Sequence, residues 1–155
     1  AAGRAIAKAG ARLVYGGGDV GLMARAAQAA LDAKGPVLGV IPEFMIRREG
    51  LLEAAETRVV TTMSIRKNIL IEESDAFLIL PGGVGTLEEI FDVLSRQRLD
   101  QHDKPVAFLN VEDFWDPFFK LLYRTEEEGF TPDGFHDHVS LHDDPEEAVE
   151  RLMRG

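Results

Sequence analysis

The chain has 155 residues, 45% hydrophobic and 28% charged, no cysteine, and a net charge of −10. Those values give one globular domain with a real core, and they exclude a disulfide framework and thiolate chemistry. The acidity argues against nucleic acid as a partner, and no apolar run approaches the roughly 18 residues of a membrane span. A small phosphate ligand remains compatible, because a local pocket can be positive inside an acidic protein. No signal peptide is visible, and a cytoplasmic location is expected.

In chain order, residues 1–9 have a helical pattern closed by Gly10. Arg12 to Tyr15 reads as a strand and Gly16-Gly17-Gly18 as a tight turn. Asp19 is placed to cap a helix from about Val20 to Ala33. Val37 to Ile41 is the next strand, ended by Pro42. Residues 43–56 are less legible, with Arg47-Arg48-Glu49 an exposed charge run. Thr57 to Val60 is a strand candidate, followed by a helix from about Thr61 to Glu73. The second half continues with a strand at Ala76–Leu80 and a helix from Thr86 to about Leu99. A strand at Pro105–Leu109 and a helix at Phe114–Glu128 follow, the latter with Phe118, Leu121 and Leu122 on its core face. Trp115, Phe118 and Phe119 read as packing residues. A short strand at Val139–Leu141 and a helix at Pro145–Met153 complete the chain. Such alternation predicts an α/β, Rossmann-like, doubly wound and mostly parallel sheet with helices on both faces.

The central stretch is Ser74 to Phe91. Ala76 to Leu80 is a continuous apolar run, as expected of a parallel strand covered on both faces. Gly82, Gly83 and Gly85 then remove side chains from the turn, so a ligand can approach the backbone. Leu87, Ile90, Phe91 and Leu94 fall on one side of the helix that follows, whose free N–H groups suit an anion. The plain alternative is a capping box, with Thr86 and Glu89 capping their own helix. A second stretch, Thr61 to Leu70, breaks a local rule. Arg66 and Lys67 lie early in a helix, where each cation is unfavourable by about 0.3–1 kcal/mol, while Glu72 and Glu73 occupy the opposite end. Either an anionic ligand supplies the missing negative charge, or these are solvated surface cations. Two glycine turns in βα units point to the carboxyl edge of a parallel sheet, where open α/β proteins bind ligands. The pattern is not G-x-G-x-x-G and no acid is placed for a dinucleotide ribose, so no cofactor is implied. His136, Asp137, His138, His142 and Asp143 include metal-ligand types. Their spacing matches no standard site, so a polar surface loop is expected and no metal is assigned.

Met63-x-x-Arg66-Lys67 followed by Pro81-Gly82-Gly83-x-Gly85-Thr86-x-x-Glu89 resembles the LOG ("lonely guy") family of cytokinin riboside 5'-monophosphate phosphoribohydrolases, often labelled lysine decarboxylases. The resemblance also takes in Val14-Tyr15-Gly16-Gly17-Gly18, Gly21-Leu22-Met23, Gly39-Val40-Ile41-Pro42 and Lys104-Pro105-Val106, almost the whole chain. It implies that residues 1–155 form one nucleotide-binding domain lacking its first strand. It also implies hydrolysis of the N-glycosidic bond of a nucleoside 5'-monophosphate, either AMP or a cytokinin riboside monophosphate. Arg66 and Glu89 match the catalytic pair. Gly17, Gly18, Glu49, Met63, Lys67, Gly82, Gly83, Gly85, Thr86 and Glu88 match substrate-binding positions, with Glu49 about one residue nearer to Arg66 than in the family. A His in the loop after the long helix matches His102, whose usual role is loop hydrogen bonding. Ser64, Ala24 and Arg98 depart from the family's common residues, and none belongs to the catalytic pair. The resemblance further implies a homodimer or larger homo-oligomer. A carrier of a phosphate-bearing ligand such as molybdenum cofactor is the alternative. Lysine decarboxylation is disfavoured, because no pyridoxal-phosphate lysine setting is recognisable.

Overall fold

In the computed structural model, which describes residues 1–155, strands and helices alternate along the whole chain. Residues 1–75 and 76–155 form two compact units, each with its own three-stranded parallel sheet. Helices flank both sheets, an α/β and Rossmann-like arrangement. No helix is long and apolar enough to cross a membrane.

The first unit carries β1 (Leu13–Tyr15), β2 (Val37–Pro42) and β3 (Glu56–Val60) in that order, with Tyr15 level with Gly39 and Val40 level with Arg58. All six residues of β2 are buried, as its central position requires. Leu38, Val40 and Val60 form one face, packed by Val14 and by Ile69 and Leu70 of α4 (Met63–Glu72). Helices α1 (Ala2–Lys8) and α2 (Gly21–Asp32) press on each other through small residues, with Ala2, Ala5, Ala26, Ala27 and Ala30 all buried. A Cβ on Gly3 would overlap the Ala26 carbonyl, so this crossing tolerates only glycine there. The illegible segment contains one further helix, α3 (Glu43–Glu49), which ends at Gly50 with φ of 70°.

Asp19 does not cap α2. Val20 holds the cap position without a side-chain bond, and the Asp19 amide instead donates to the Glu49 carbonyl at 2.9 Å. The turn is therefore tied to the end of α3, and the positive φ of Gly21 (73°) lets the helix begin one residue later than expected.

The second unit orders its strands β4 (Phe77–Ile79), β5 (Val106–Leu109) and β6 (Val139–His142). β5 is wholly buried, whereas every residue of β4 is half-buried. The expectation of a strand covered on both faces thus fails for β4, which lies at the edge of its own sheet. The long helix is α5 (Val84–Arg98), and Ile90, Val93 and Leu94 form its buried face. Phe91 is 51% exposed and only leans on Phe118, with ring centroids 5.8 Å apart. A 3₁₀ turn at Val111–Asp113 delays the next helix, so α6 runs Asp116–Glu127. Its buried face is Phe119, Leu122 and Glu126, while Leu121 is 57% exposed, contrary to the predicted face. Trp115, Phe118 and Phe119 surround the buried ring of Phe108 at centroid distances of 5.1–5.3 Å, which makes them core. The last helix, α7 (Pro145–Arg154), begins where Asp144 accepts from the Glu146 and Glu147 amides.

His102 closes the loop after α5. The Lys104 amide donates to Nδ1 at 3.2 Å, so the ring proton sits on Nε2 and is donated to the Val93 carbonyl at 2.9 Å. The His- and Asp-bearing loop is organised by a buried acid that the periodicity had hidden. Glu126 accepts from the amides of Gly134 (3.2 Å) and His136 (2.9 Å), and lies 2.7 Å from His136 Nδ1. Burial pushes the Glu126 carboxyl up, but the bonds from His136 and Gly134 prevail and lower its pKa. The same hydrogen bond, donated by His136 to Glu126, raises the His136 pKa against a smaller opposing effect of burial.

These shifts set a pH window. Glu126 stabilises the fold above the ordinary carboxylate range and loses that contribution as pH falls through its lowered pKa. His136 contributes fully below the ordinary imidazole range and loses its share as pH rises through its raised pKa. Thermal melts of wild type and Glu126→Gln should therefore differ most at mildly acidic pH, with the gap narrowing in both directions. A gap that is flat with pH would contradict this pairing.

Candidate functional site

The first unit places its site residues at the carboxyl ends of β1 and β2. Thr62 caps α4 by accepting from the Ile65 amide at 3.2 Å, which fixes Met63 to Arg66 as the first turn. Arg66 is 8% exposed, which rules out the reading of a solvated surface cation. Its Nε donates to the Val40 carbonyl at 3.0 Å and its Nη2 to the Gly16 carbonyl at 2.9 Å, while Nη1 approaches Met63 Sδ at 3.9 Å. A buried guanidinium is costly unless its donors are used. Here two main-chain carbonyls, one just after β1 and one within β2, use them and offset part of the unfavourable position early in α4. At the opposite end, Glu73 accepts from Arg58 at 2.5 Å and Arg12 at 2.7 Å. The hydrogen bond from Arg58, then that from Arg12, holds the Glu73 carboxyl below the usual carboxylate range. Lys67 is half-buried.

Each glycine of the first turn has its own reason. A Cβ on Gly16 would run into the Arg66 guanidinium. Gly17 has φ of +82°, and its Cβ would lie 2.9 Å from that of Ile41. At Gly18 an added Cβ would lie 2.5 Å from Glu49 Oε2, so the Glu49 carboxylate rests against this turn. Gly39 belongs to the same packing, since a Cβ there would meet Gly17 Cα at 2.8 Å. Arg66, Met63, Glu49, Gly17 and Gly18 are thus brought together. Gly16, Gly39 and the Val40 carbonyl join them, although the motifs that contain these residues assigned them no site role. A long-range bond to a main-chain carbonyl leaves no mark in side-chain identity.

The second unit holds the other predicted residues in one turn and helix start. α5 begins at Val84 with Gly83 as its cap, two residues before the expected start. Thr86 is therefore the third helical residue, and the capping box with Glu89 does not form. The Thr86 side chain instead folds back over Gly82, whose Cβ would collide with it. Around Gly83 and Gly85 an added Cβ meets nothing within 4 Å. The first amide with a helical acceptor is that of Leu87, which donates to the Gly83 carbonyl at 3.0 Å. The preceding amides form an open, positively polarised helix start. Glu88 is exposed and Glu89 half-buried, in the second turn of α5. No group of three or more His, Cys, Asp or Glu side chains converges to hold a metal ion.

This is a Rossmann-like α/β protein with glycine-built strand ends and an anion-suited helix start. The sequence profile of the family described as "Possible lysine decarboxylase" matches residues 23–152, and the chain belongs to that family. It is 43% identical over 95% of its length to a cytokinin riboside 5'-monophosphate phosphoribohydrolase of Rhodococcoides fascians, and spans 75% of that protein. Relatives of the same name in Oryza sativa subsp. japonica and Arabidopsis thaliana are each 43% identical over 83% of this chain. The chain spans only 53% and 61% of their respective lengths. Among solved structures it resembles the molybdenum cofactor carrier protein of Chlamydomonas reinhardtii, at TM-score 0.71 and 26% identity over 99% of this chain and 84% of that one. The molybdenum cofactor binding protein of Rippkaea orientalis gives TM-score 0.70 and 27% identity, over 98% and 82%.

The glycines divide into two testable groups. Gly16→Ala should lower the melting temperature by several degrees, because a buried guanidinium must move. Gly85→Ala should leave it unchanged or raise it, since alanine is preferred by about 1 kcal/mol inside a helix. Melts of the two variants check this, and equal destabilisation would contradict the assignment of Gly85 to open space.

Proposed function

We propose that this chain hydrolyses the N-glycosidic bond of a nucleoside 5'-monophosphate, giving free base and ribose 5-phosphate. The observation that carries the reading is the start of α5. Open backbone at Gly83 and Gly85 is followed, in the second turn, by the half-buried acid Glu89. Membership of a family whose relatives bear the phosphoribohydrolase name supports it.

In this mechanism the amides of Gly83 and Gly85 and the Thr86 hydroxyl take the 5'-phosphate, with Gly82 giving Thr86 its room. As the bond from C1' to the base breaks, positive charge builds on the ribose ring, as in glycoside hydrolysis. The Glu89 carboxylate stabilises that charge and orients or deprotonates the attacking water. The water oxygen bonds to C1', and the bonding electrons and a proton leave with the base. Arg66 supplies a planar cation whose position the Gly16 and Val40 carbonyls fix in advance. Lys67 adds a point charge for phosphate. Glu49, Met63, Gly17, Gly18 and Glu88 are further candidate substrate contacts. AMP and a cytokinin riboside monophosphate are the two substrates to compare. The protein acts in the cytoplasm as a homodimer or larger homo-oligomer, with residues 1–155 serving as one nucleotide-binding domain. A ligand carrier without hydrolysis is the second reading, favoured by the likeness to the two molybdenum cofactor proteins.

Chromatography of free base released from AMP and from isopentenyladenosine monophosphate tests the proposal. Wild type should release base, and Glu89→Gln or Arg66→Ala should lose on the order of 10²–10³ in kcat, as for other single electrostatic groups. Intact nucleotide with binding retained would move the carrier reading to the front.

A further inference from the structure

The second unit holds a groove of about 480 Å³ that takes no part in the chemistry above. It lies along α6, the 135–138 turn and β6. Phe119, Val139 and Leu141 give it an apolar floor, and Tyr123 and His136 make one wall, their ring centroids 4.6 Å apart. The His136 side of this wall is held in place. The His136 Nδ1 is 2.7 Å from Glu126 Oε2, and the His136 amide donates to Oε1 of the same carboxylate at 2.9 Å. Glu126 is 8% exposed, so the imidazole is fixed from beneath rather than swinging in solvent.

The charges in the groove are unevenly committed. Asp116 accepts from Asn110 Nδ2 at 3.0 Å, and Asp137 lies 3.3 Å from His136 Nε2. Asp116 therefore has a donor, and Asp137 has the His136 ring as its neighbour. Lys120, exposed on α6 between them, makes no hydrogen bond or ion pair. A volume of this size, an apolar floor, a fixed aromatic wall and one uncommitted cation are the parts of a small-ligand site. The face of an aromatic ring suits a planar partner, and the ammonium selects an anion.

We infer that this groove binds a small planar organic anion, an aromatic carboxylate in class. Its ring lies against Tyr123 and His136 above Phe119, and its carboxylate meets Lys120. The site is independent of the nucleotide chemistry and stands whether or not the chain is a hydrolase.

Amide NMR of the full chain, titrated with benzoate to about 20 mM, tests it; a ligand of nine heavy atoms belongs in the roughly millimolar range. Saturable shifts should appear at Lys120, Tyr123 and His136, and acetate should give none. Lys120→Met, a change at an exposed position, should keep the fold and weaken benzoate about fivefold, the scale of one exposed charge pair. Tyr123→Ala should weaken it as well. No saturable shift, shifts centred elsewhere, equal affinity in Lys120→Met, or displacement of benzoate by AMP would each overturn the assignment.

Discussion

A guanidinium taken out of water must have its donors met, and Arg66 meets them on the main chain. Its bonds to the carbonyls of Gly16 and Val40 join the turn after β1 to the neighbouring strand β2 through a side chain from α4. Much of the first unit follows from that contact. Gly16 must lack a side chain because the guanidinium occupies the space, and Gly17 must reach φ of +82° to turn beside Ile41. Gly39 must be bare because Gly17 sits on it. Arg66 can thus hold a strong positive charge at the proposed ligand-binding edge without the entropy loss of immobilising a long side chain on binding. Lysine in its place would keep the charge and lose the planar fork that spans two carbonyls.

Glycines in the second unit obey a different constraint. Gly82 yields to the side chain of Thr86, but Gly83 and Gly85 face open space. Packing requires neither, and Gly85, inside the helix, is costly relative to alanine, whereas Gly83 suits its cap position. A function that needs bare backbone accounts for that cost. The free amides at the start of a fifteen-residue helix are the physical reason for assigning phosphate here. Each unit therefore carries one half of the predicted residue set, with the anchored cation in one and the amides and Glu89 in the other.

Most of the fold was legible because its signals are local. Short apolar runs, glycine and proline stops and helical spacing located all six strands and six of the seven helices, usually within two residues. The missed helix, α3, has no buried residue and hence no apolar face to read. The capping assignments failed for a shared reason. Asp19 and Thr86 have the right chemistry for a cap, yet each helix begins elsewhere: Val20 and Gly83 hold the cap positions, while the Asp19 amide is tied to Glu49 and the Thr86 side chain lies over Gly82. Spacing alone also placed Phe91 and Leu121 inside, although both are more than half exposed. Glu126 was invisible from the opposite side: an acid on a helix reads as surface, and only the folded turn at 134–136 shows why it is buried. Within the candidate site, motif spacing located Arg66 and the open glycines. The carbonyl acceptors of Arg66 were beyond reach, because every residue has a carbonyl.

The proposed reaction cleaves between C1' and the base and leaves the phosphate ester intact. Following AMP with the purified chain by proton and phosphorus NMR tests it most directly. The ribosyl H1' signal of the nucleotide should disappear, free adenine should grow in, and the phosphorus resonance should remain that of a sugar monophosphate. Adenosine with inorganic phosphate, or a nucleotide unchanged while bound, would contradict it.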